Sequence, residues 1–320
     1  MSKYKPPYTI TSKMVNLISK ISEELTRVEF NHKKIFTPQL RKKNRIKTLA
    51  GTLEIEGNFL GEEKITAIIN GERVLGTMLE VAEVNGVINC YKELENYQFD
   101  DVESLLNAHK ILMDEILNTA GNFRTVEVGV GRHIAPQSNR VAGLMGDLFS
   151  WLKDSDEHPL IKSSVFHYEF EFIHPFSDGN GRIGRLWQTV ILYNWKKIFN
   201  VIPTESIVRD NQQKYYTALE QSGGLGESTP FIEFMLDVIL KSIRKQQNAP
   251  VNVTTNVPLK RLQKILNLLE NNKQITITRL AQILKVNEKT IKRDIAKLKN
   301  NKQIVRVGSS KTGHWKILEK

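Results

Sequence analysis

Four side chains able to do chemistry fall within twelve residues of this 320-residue chain: His174, Asp178, Arg182 and Arg185, in HPFSDGNGRIGR. Gly179, Gly181 and Gly184 lie between them. An imidazole titrates near neutrality and can take the proton of an attacking hydroxyl. The Asp178 carboxylate is a poor neighbour for bare phosphate but a good ligand for Mg²⁺ bridging phosphate oxygens. Arginines three residues apart share one face of a helix and suit a polyphosphate. Glycines at a helix start let backbone N–H groups converge on an anion, where the helix dipole favours negative charge. These parts together fit a metal-assisted transfer from a nucleoside triphosphate.

The same glycines also spell G-x-G-x-x-G, the pattern of a dinucleotide-binding turn. That turn follows a hydrophobic strand and precedes an acid about 20 residues on. Here a segment ending in His-Pro-Phe comes first, Trp195-Lys-Lys lies where the acid belongs, and Glu205 is the nearest candidate. Helix follows helix upstream, without βαβ alternation, so the dinucleotide reading fails.

Elements must hold these residues in place, and the periodicity predicts mostly helices. Val15, Ile18, Ile21 and Leu25 mark one near 12–31. A second covers Leu40–Ile55 with Gly57-Asn58 as its stop. Further helices are expected at 62–70, 73–93, 101–119, 141–152, 159–173, 181–197, 209–221 and 229–245. Val126, Val128 and Val130 alternate with Glu127 and Gly129, predicting a short strand in a hairpin or flap that Pro136 ends. The aromatics at 166, 168, 170 and 172 alternate like a strand, while Val165, Phe166, Phe170 and Ile173 also fit a helix face. Periodicity does not separate the two.

Charge divides the chain. Residues 258–320 hold 16 Lys/Arg against 4 Asp/Glu, a net +12; residues 1–257 hold 30 against 31, a net −1. So complete a segregation suggests a polyanion partner for the tail. The polar stretch KQQNAPVNVTTNVP before it reads as a linker. The tail's order is that of a winged helix. A helix carries Leu259, Leu262, Ile265, Leu266 and Leu269, and Ile275-Thr-Ile makes a short strand. Thr278 caps a second helix, Asn287 a third, and two strands flank 308–313. In such folds the third helix enters the major groove, which puts Lys289, Thr290, Lys292 and Arg293 toward DNA. The alternative is a protein-docking module. No apolar run approaches membrane-spanning length, MSKYKPPYTITSK lacks the apolar core of a signal peptide, and Cys90 is the only cysteine. A cytoplasmic protein is expected.

At these twelve residues the chain resembles the Fic family, whose signature is H-P-F-x-[DE]-G-N-G-R-x-x-R; all nine specified positions match. The resemblance implies a mainly α fold: a helical core with a small β-hairpin flap, followed here by the winged helix-turn-helix. It resolves the aromatic segment as helix. It also implies an N-terminal helical region over 1–100 with an inhibitory helix near 40–57, a catalytic core over 101–245 with a flap near 123–137, a linker over 246–257, and the winged helix over 258–320. The implied activity is transfer of AMP from ATP, with Mg²⁺, onto a Ser, Thr or Tyr hydroxyl of a target protein or of the chain itself. His174 would be the base, Phe176 an anchor and Asp178 the metal ligand. Gly179, Asn180, Gly181 and Gly184 would form the anion loop, with Arg182 on the β-phosphate and Arg185 on the γ-phosphate. Tyr215 and Tyr216 would line the adenine or ribose pocket, or only pack helices. The flap residues Val130, Gly131, Arg132 and His133 would receive the target as an added strand. This flap reads His133-Ile-Ala-Pro136 where relatives often read H-x-P-P.

Upstream, Thr52-Leu-Glu-Ile-Glu56-Gly57 fits [ST]-x-x-x-E-[GN] and resembles the family's inhibitory motif. The resemblance implies that Glu56 pairs with Arg185 and keeps it from the γ-phosphate. Two other roles stay open: removal of AMP, with Glu56 orienting a water, and a regulator that binds DNA and only senses nucleotide. A homodimer is compatible with all three.

Overall fold

The structure is a computed structural model and describes residues 4–31, 36–130, 133–247, 257–284, 286–301, 303–308 and 313–318. It divides into two compact units, Met1–Asn248 and Ala249–Lys320.

In the first unit α1 (Ser12–Phe30) starts at Thr11, whose side chain accepts from the Met14 N–H, and α1 packs along the last helix of the unit, α11 (Thr229–Gln247). Next is α2 (Pro38–Ile55), capped by Thr37, with Pro38 in its first turn and Gly57 at φ 89° just past its end. Then come α3 (Gly61–Ile69), α4 (Met78–Lys92) and α5 (Val102–Met113). The hairpin of β1 (Gly129–Val130) and β2 (His133–Ile134) pairs Val130 with His133. It is followed by α6 (Val141–Asp154), α7 (Pro159–Ile173), α8 (Asn180–Trp195), α9 (Thr204–Asp210) and α10 (Gln212–Leu225).

The centre of this unit is α7 packed on α8. Phe166, Phe170, Ile183 and Trp187 are buried, and so are Ser163, Ser164 and His167. A helix buried on nearly every side shows no single apolar stripe, which is why residues 166–172 also read as a strand. Helix α2 lies against α9 at backbone contact. A Cβ on Gly51 would sit 2.8 Å from the Glu205 carbonyl carbon and the Ser206 nitrogen.

Several boundaries differ from those the periodicity predicts. Helix α4 begins at Met78, not near 73, because Thr77 and Glu80 form a reciprocal capping box. The helix expected to 119 ends at Met113, and Gly121, at φ 81°, turns the chain back. The helix expected to 197 stops at Trp195, and the one expected over 209–221 runs Gln212–Leu225, preceded by the separate short helix α9. The strand expected from Val126 shrinks to Gly129–Val130. Val126 is exposed, and its carbonyl accepts from the Arg124 guanidinium (2.9 Å) instead of a ladder partner.

The second unit has its own core of Leu262, Ile265, Leu280, Ile291, Leu298 and Trp315. It contains α12 (Val257–Asn271), α13 (Ile277–Leu284) and α14 (Glu288–Asn300). A hairpin of β3 (Ile304–Val307) and β4 (His314–Ile317) pairs Ile304 with Ile317. Asn287 caps α14 as expected. The cap of α13 is Thr276 rather than Thr278, and 275–277 forms no strand. Ile275 is buried in the core there, and β4 reaches this segment through one backbone bond, from the Trp315 N–H to the Lys273 carbonyl (2.8 Å).

Candidate active site

The signature loop joins α7 to α8, and its geometry is set by backbone groups that need partners. His174 ends α7 in the left-handed region at φ 51°, a conformation glycine usually takes at a helix end. Arg124, buried, holds it there. Its Nε donates to the His174 carbonyl (2.8 Å), its Nη2 to the Pro136 carbonyl (2.5 Å), and its backbone N–H to the Pro175 carbonyl (2.9 Å). One side chain thus ties the His174 backbone to the chain just past the β1–β2 hairpin. Phe176 is fully buried and stacked on the His109 ring at 3.6 Å. The Asn180 side chain closes the turn by bonding both the N–H and the carbonyl of Phe176 (2.9 and 2.8 Å).

His109 supports the loop from beneath. Its Nδ1 accepts from the Gly121 N–H (2.9 Å), so its Nε2 carries the proton and donates to the Asp178 carbonyl (3.0 Å). Burial pushes its pKa down to about 4, which keeps the ring neutral.

Gly179, at φ 82°, starts α8. The first-turn N–H groups of Asn180, Gly181 and Arg182 therefore have no carbonyl in a preceding turn, the arrangement that receives an anion. Asp178 is 55% exposed, and its hydrogen bonds, from the Gly179 N–H and Arg182 Nη2 (3.2 Å), fall on Oδ1. Oδ2 faces no described donor, so this carboxylate fits a hydrated Mg²⁺ carried by phosphates. No group of three His, Cys, Asp or Glu among the described residues could hold a metal by itself. A single carboxylate with substrate oxygens is how proteins often hold Mg²⁺.

The two arginines are both buried and both engaged. Arg182 donates to Glu83 (3.0 Å) as well as to Asp178, and Glu83 is in turn oriented by Asn58 (2.9 Å). Arg185, 2% exposed, donates through Nε to Thr52 Oγ1 (3.0 Å) and through Nη2 to the Thr52 carbonyl (3.2 Å) and Glu56 Oε1 (2.6 Å). Burial works against its charge, but Glu56, together with Tyr215 and Glu171, outweighs it and raises the guanidinium above its ordinary value. The approach is tight: a Cβ on Gly181 would lie 2.3 Å from Glu56 Oε1. The end of α2 is also clasped from behind, where Arg209 donates to Glu54 (3.0 Å) and Gln212 to the Ile55 carbonyl (3.0 Å).

Tyr215 is buried, its hydroxyl 3.1 Å from His167 Nε2 and its ring against Phe231. Tyr216 is 45% exposed and reaches the Ile55 carbonyl (3.4 Å), beside Glu56. Behind Gly184, Glu171 faces His167 at 3.6 Å. Burial would raise the Glu171 carboxyl, but His167, with His174 and Arg185 beyond, holds it below its ordinary value. In the flap, Val130 and His133 are partners in the strand register, while Gly131 and Arg132 lie outside the described residues.

The structure thus brings His174, Asp178, Gly179, Asn180, Gly181, Arg182, Gly184 and Arg185 to one loop and helix start, with Thr52, Glu56 and Gly57 beside them. Sequence reasoning missed Arg124, His109, Glu83 and Asn58. Each acts across a long stretch of chain, and only Asn58 adjoins a motif. In the second unit Lys289, Lys292 and Arg293 are exposed on one side of α14, while the Thr290 hydroxyl turns back to Asn287 (2.8 Å). Ile291, Asp294, Ile295 and Leu298 face inward.

Comparison with known proteins places both units among described families. Residues 99–192 match the Fic/DOC family and residues 261–313 match an HTH domain. A Fic family protein from Desulfovibrio desulfuricans G20, known by its crystal structure, is 37% identical with a TM-score of 0.78 over 99% of both chains. Protein adenylyltransferase fic-1 of Caenorhabditis elegans is 26% identical over 245 residues, 72% of this chain and 47% of the relative. A structure of Fic-1 from the same organism is 22% identical and superposes with a TM-score of 0.62, over 74% of this chain and 71% of that one. The chain spans less than half the length of the curated relatives it matches first.

Proposed function

The chain belongs to the Fic family, and on that premise we propose that it is a protein adenylyltransferase whose own Glu56 holds it inactive. Relatives named protein adenylyltransferase support the activity. The single observation that carries the inhibition is Arg185, buried and bonded to Glu56 and Thr52.

In the reaction, the hydroxyl oxygen of a Ser, Thr or Tyr attacks the α-phosphorus of ATP. Its proton passes to His174, the bond from that phosphorus to the α–β bridging oxygen breaks, and pyrophosphate leaves in line. The first-turn N–H groups of α8 hold phosphate oxygens, with Arg182 on the β-phosphate and Arg185 on the γ-phosphate. Asp178 would hold Mg²⁺, which would supply charge neutralisation to the phosphates. Arg124 fixes where the His174 backbone stands, and neutral His109 fixes the Asp178 carbonyl.

The inhibition follows from competition. While Glu56 occupies Arg185, the γ-phosphate has no guanidinium to meet and the α-phosphorus is out of line. Incubation with labelled ATP and Mg²⁺ tests this: Glu56→Gly is expected to raise transfer, including onto the chain itself, tenfold or more. Equal labelling of both proteins refutes the inhibition.

The second unit supports a further part of the proposal, that the chain binds DNA. The exposed Lys289, Lys292 and Arg293 on capped α14 favour it, as does the +12 charge of residues 258–320. A gel shift on random-sequence duplex that shows no binding even at low salt refutes it.

A further inference from the structure

A cavity of about 1100 Å³ lies in the first unit, away from the signature loop, where the first turns of α2 meet the end of α8. Its charge is lopsided. Arg41, Lys42 and Arg45 enter from α2, and Lys196 and Lys197 from the chain just past α8, against two acids, Glu29 and Glu95. Both acids are engaged: Glu29 with Lys196 (2.8 and 2.9 Å), and Glu95 with Asn200 (2.6 Å). Among the described residues no acid forms an ion pair with Arg41, Lys42 or Lys197.

Aromatic and aliphatic side chains line the same cavity: Tyr193 and Trp195, with the Lys197 ammonium 3.9 Å from the Tyr193 ring and the Lys196 ammonium 5.5 Å from the Trp195 ring, and buried Ile46 and Ile198. Cations, aromatic rings and apolar side chains lining one cavity are the chemistry that takes a planar ring bearing phosphates. A concave site also suits a small ligand better than the convex backbone of a duplex.

The position gives the cavity a consequence. Arg45 and Glu56 are on one helix or its cap, eleven residues and so roughly 16 Å apart along the axis. Trp195 and Arg185 are likewise at two places on α8. Both partners of the Glu56–Arg185 pair therefore stand on helices whose other ends line the cavity.

We propose that this cavity binds a nucleotide-sized phosphorylated ligand, and that its occupancy is coupled through α2 to the Glu56–Arg185 pair. The coupling rests on the inhibition proposed above; the binding does not. A ligand shifts the pair only by the difference in its affinity for the two positions of α2.

Equilibrium dialysis of the full chain with labelled ATP is the test, and R41E/K42E is the variant. Both positions are exposed, and a thermal melt checks that the fold is kept. Two ATP per wild-type chain, and one per R41E/K42E chain, is the expected result. W195A is expected to weaken ATP at the second site at least tenfold while sparing inorganic tripolyphosphate, which has no ring. As many ATP bound per R41E/K42E chain as per wild-type chain overturns the site. A short duplex that displaces the second ATP at lower concentration than unlabelled ATP does so overturns the small-ligand assignment. For the coupling, R41E/K42E is expected to change AMP transfer at least threefold in the wild-type background and not in the E56G background. Lost binding with unchanged transfer in both backgrounds overturns the coupling alone. An E56G protein no more active than wild type marks failure of the inhibition, not of the site.

Discussion

Replacing Glu56 in graded steps separates its charge from its mere presence. The Arg185 side chain is 2% exposed and that of Glu56 29%, and they meet at 2.6 Å, so the bond joins a buried guanidinium to a carboxylate still open to water on one side. A hydrogen bond to a charged group contributes about 1.5–3 kcal/mol net. With tenfold per 1.4 kcal/mol, this bond favours the inhibited arrangement roughly 10- to 150-fold. Glu56→Gly removes all of it and is expected to raise the rate of labelled AMP transfer by that factor. Glu56→Gln keeps a neutral acceptor worth about 0.5–1.5 kcal/mol, so its rate should fall between wild type and Glu56→Gly. Thr52→Val removes only the bond to Arg185 Nε and should also be intermediate. Initial rates with α-labelled ATP at fixed Mg²⁺ measure all three. A Glu56→Gly protein that is folded yet no faster than wild type refutes the reasoning. So does a Glu56→Gln protein faster than Glu56→Gly.

The remaining predictions concern stability and the second unit. Burial lowers His109 to about 4, so the stability it contributes is present above about pH 6.5 and lost as pH falls toward 4. Burial raises Glu169 to about 7, with opposite sign: its contribution is present below pH 4.5 and lost as pH rises through 7. Each amounts to about 3 kcal/mol, and the two nearly cancel between pH 4.5 and 6.5. Urea melts of Glu169→Gln should therefore show stability falling from pH 6.5 to 4.5 more steeply than wild type; a parallel profile contradicts this. Replacing Lys289, Lys292 and Arg293 together by Ala should lower the slope of log K against log salt by about 2.7 if each meets a phosphate. An unchanged slope removes that face from the interface.

The twelve residues of the signature were legible because their chemistry is local. The loop, the start of α8 and the shared face of Arg182 and Arg185 all follow from spacing within a few turns. Glu56 was legible only through the motif around it, since nothing in periodicity joins positions 129 residues apart. Arg124, His109 and Glu83 gave no signal: a buried arginine on carbonyls looks, in sequence, like any surface arginine. The start of α4 was written in Thr77-x-x-Glu80, a cap signal outweighed by the apolar residues before it. The strand at 126–130 was misread because alternating valines indicate a strand only where one face is buried, and Val126 is exposed.

The proposed function depends above all on AMP transfer from ATP by the signature loop. The direct measurement compares α- and γ-labelled ATP, with Glu56→Gly as the enzyme and the same protein carrying His174→Ala as the control. Protein-bound label is expected from α-labelled ATP only, reduced about 10²- to 10⁴-fold without His174. Label retained from γ-labelled ATP, or α-label that persists undiminished without His174, would contradict it.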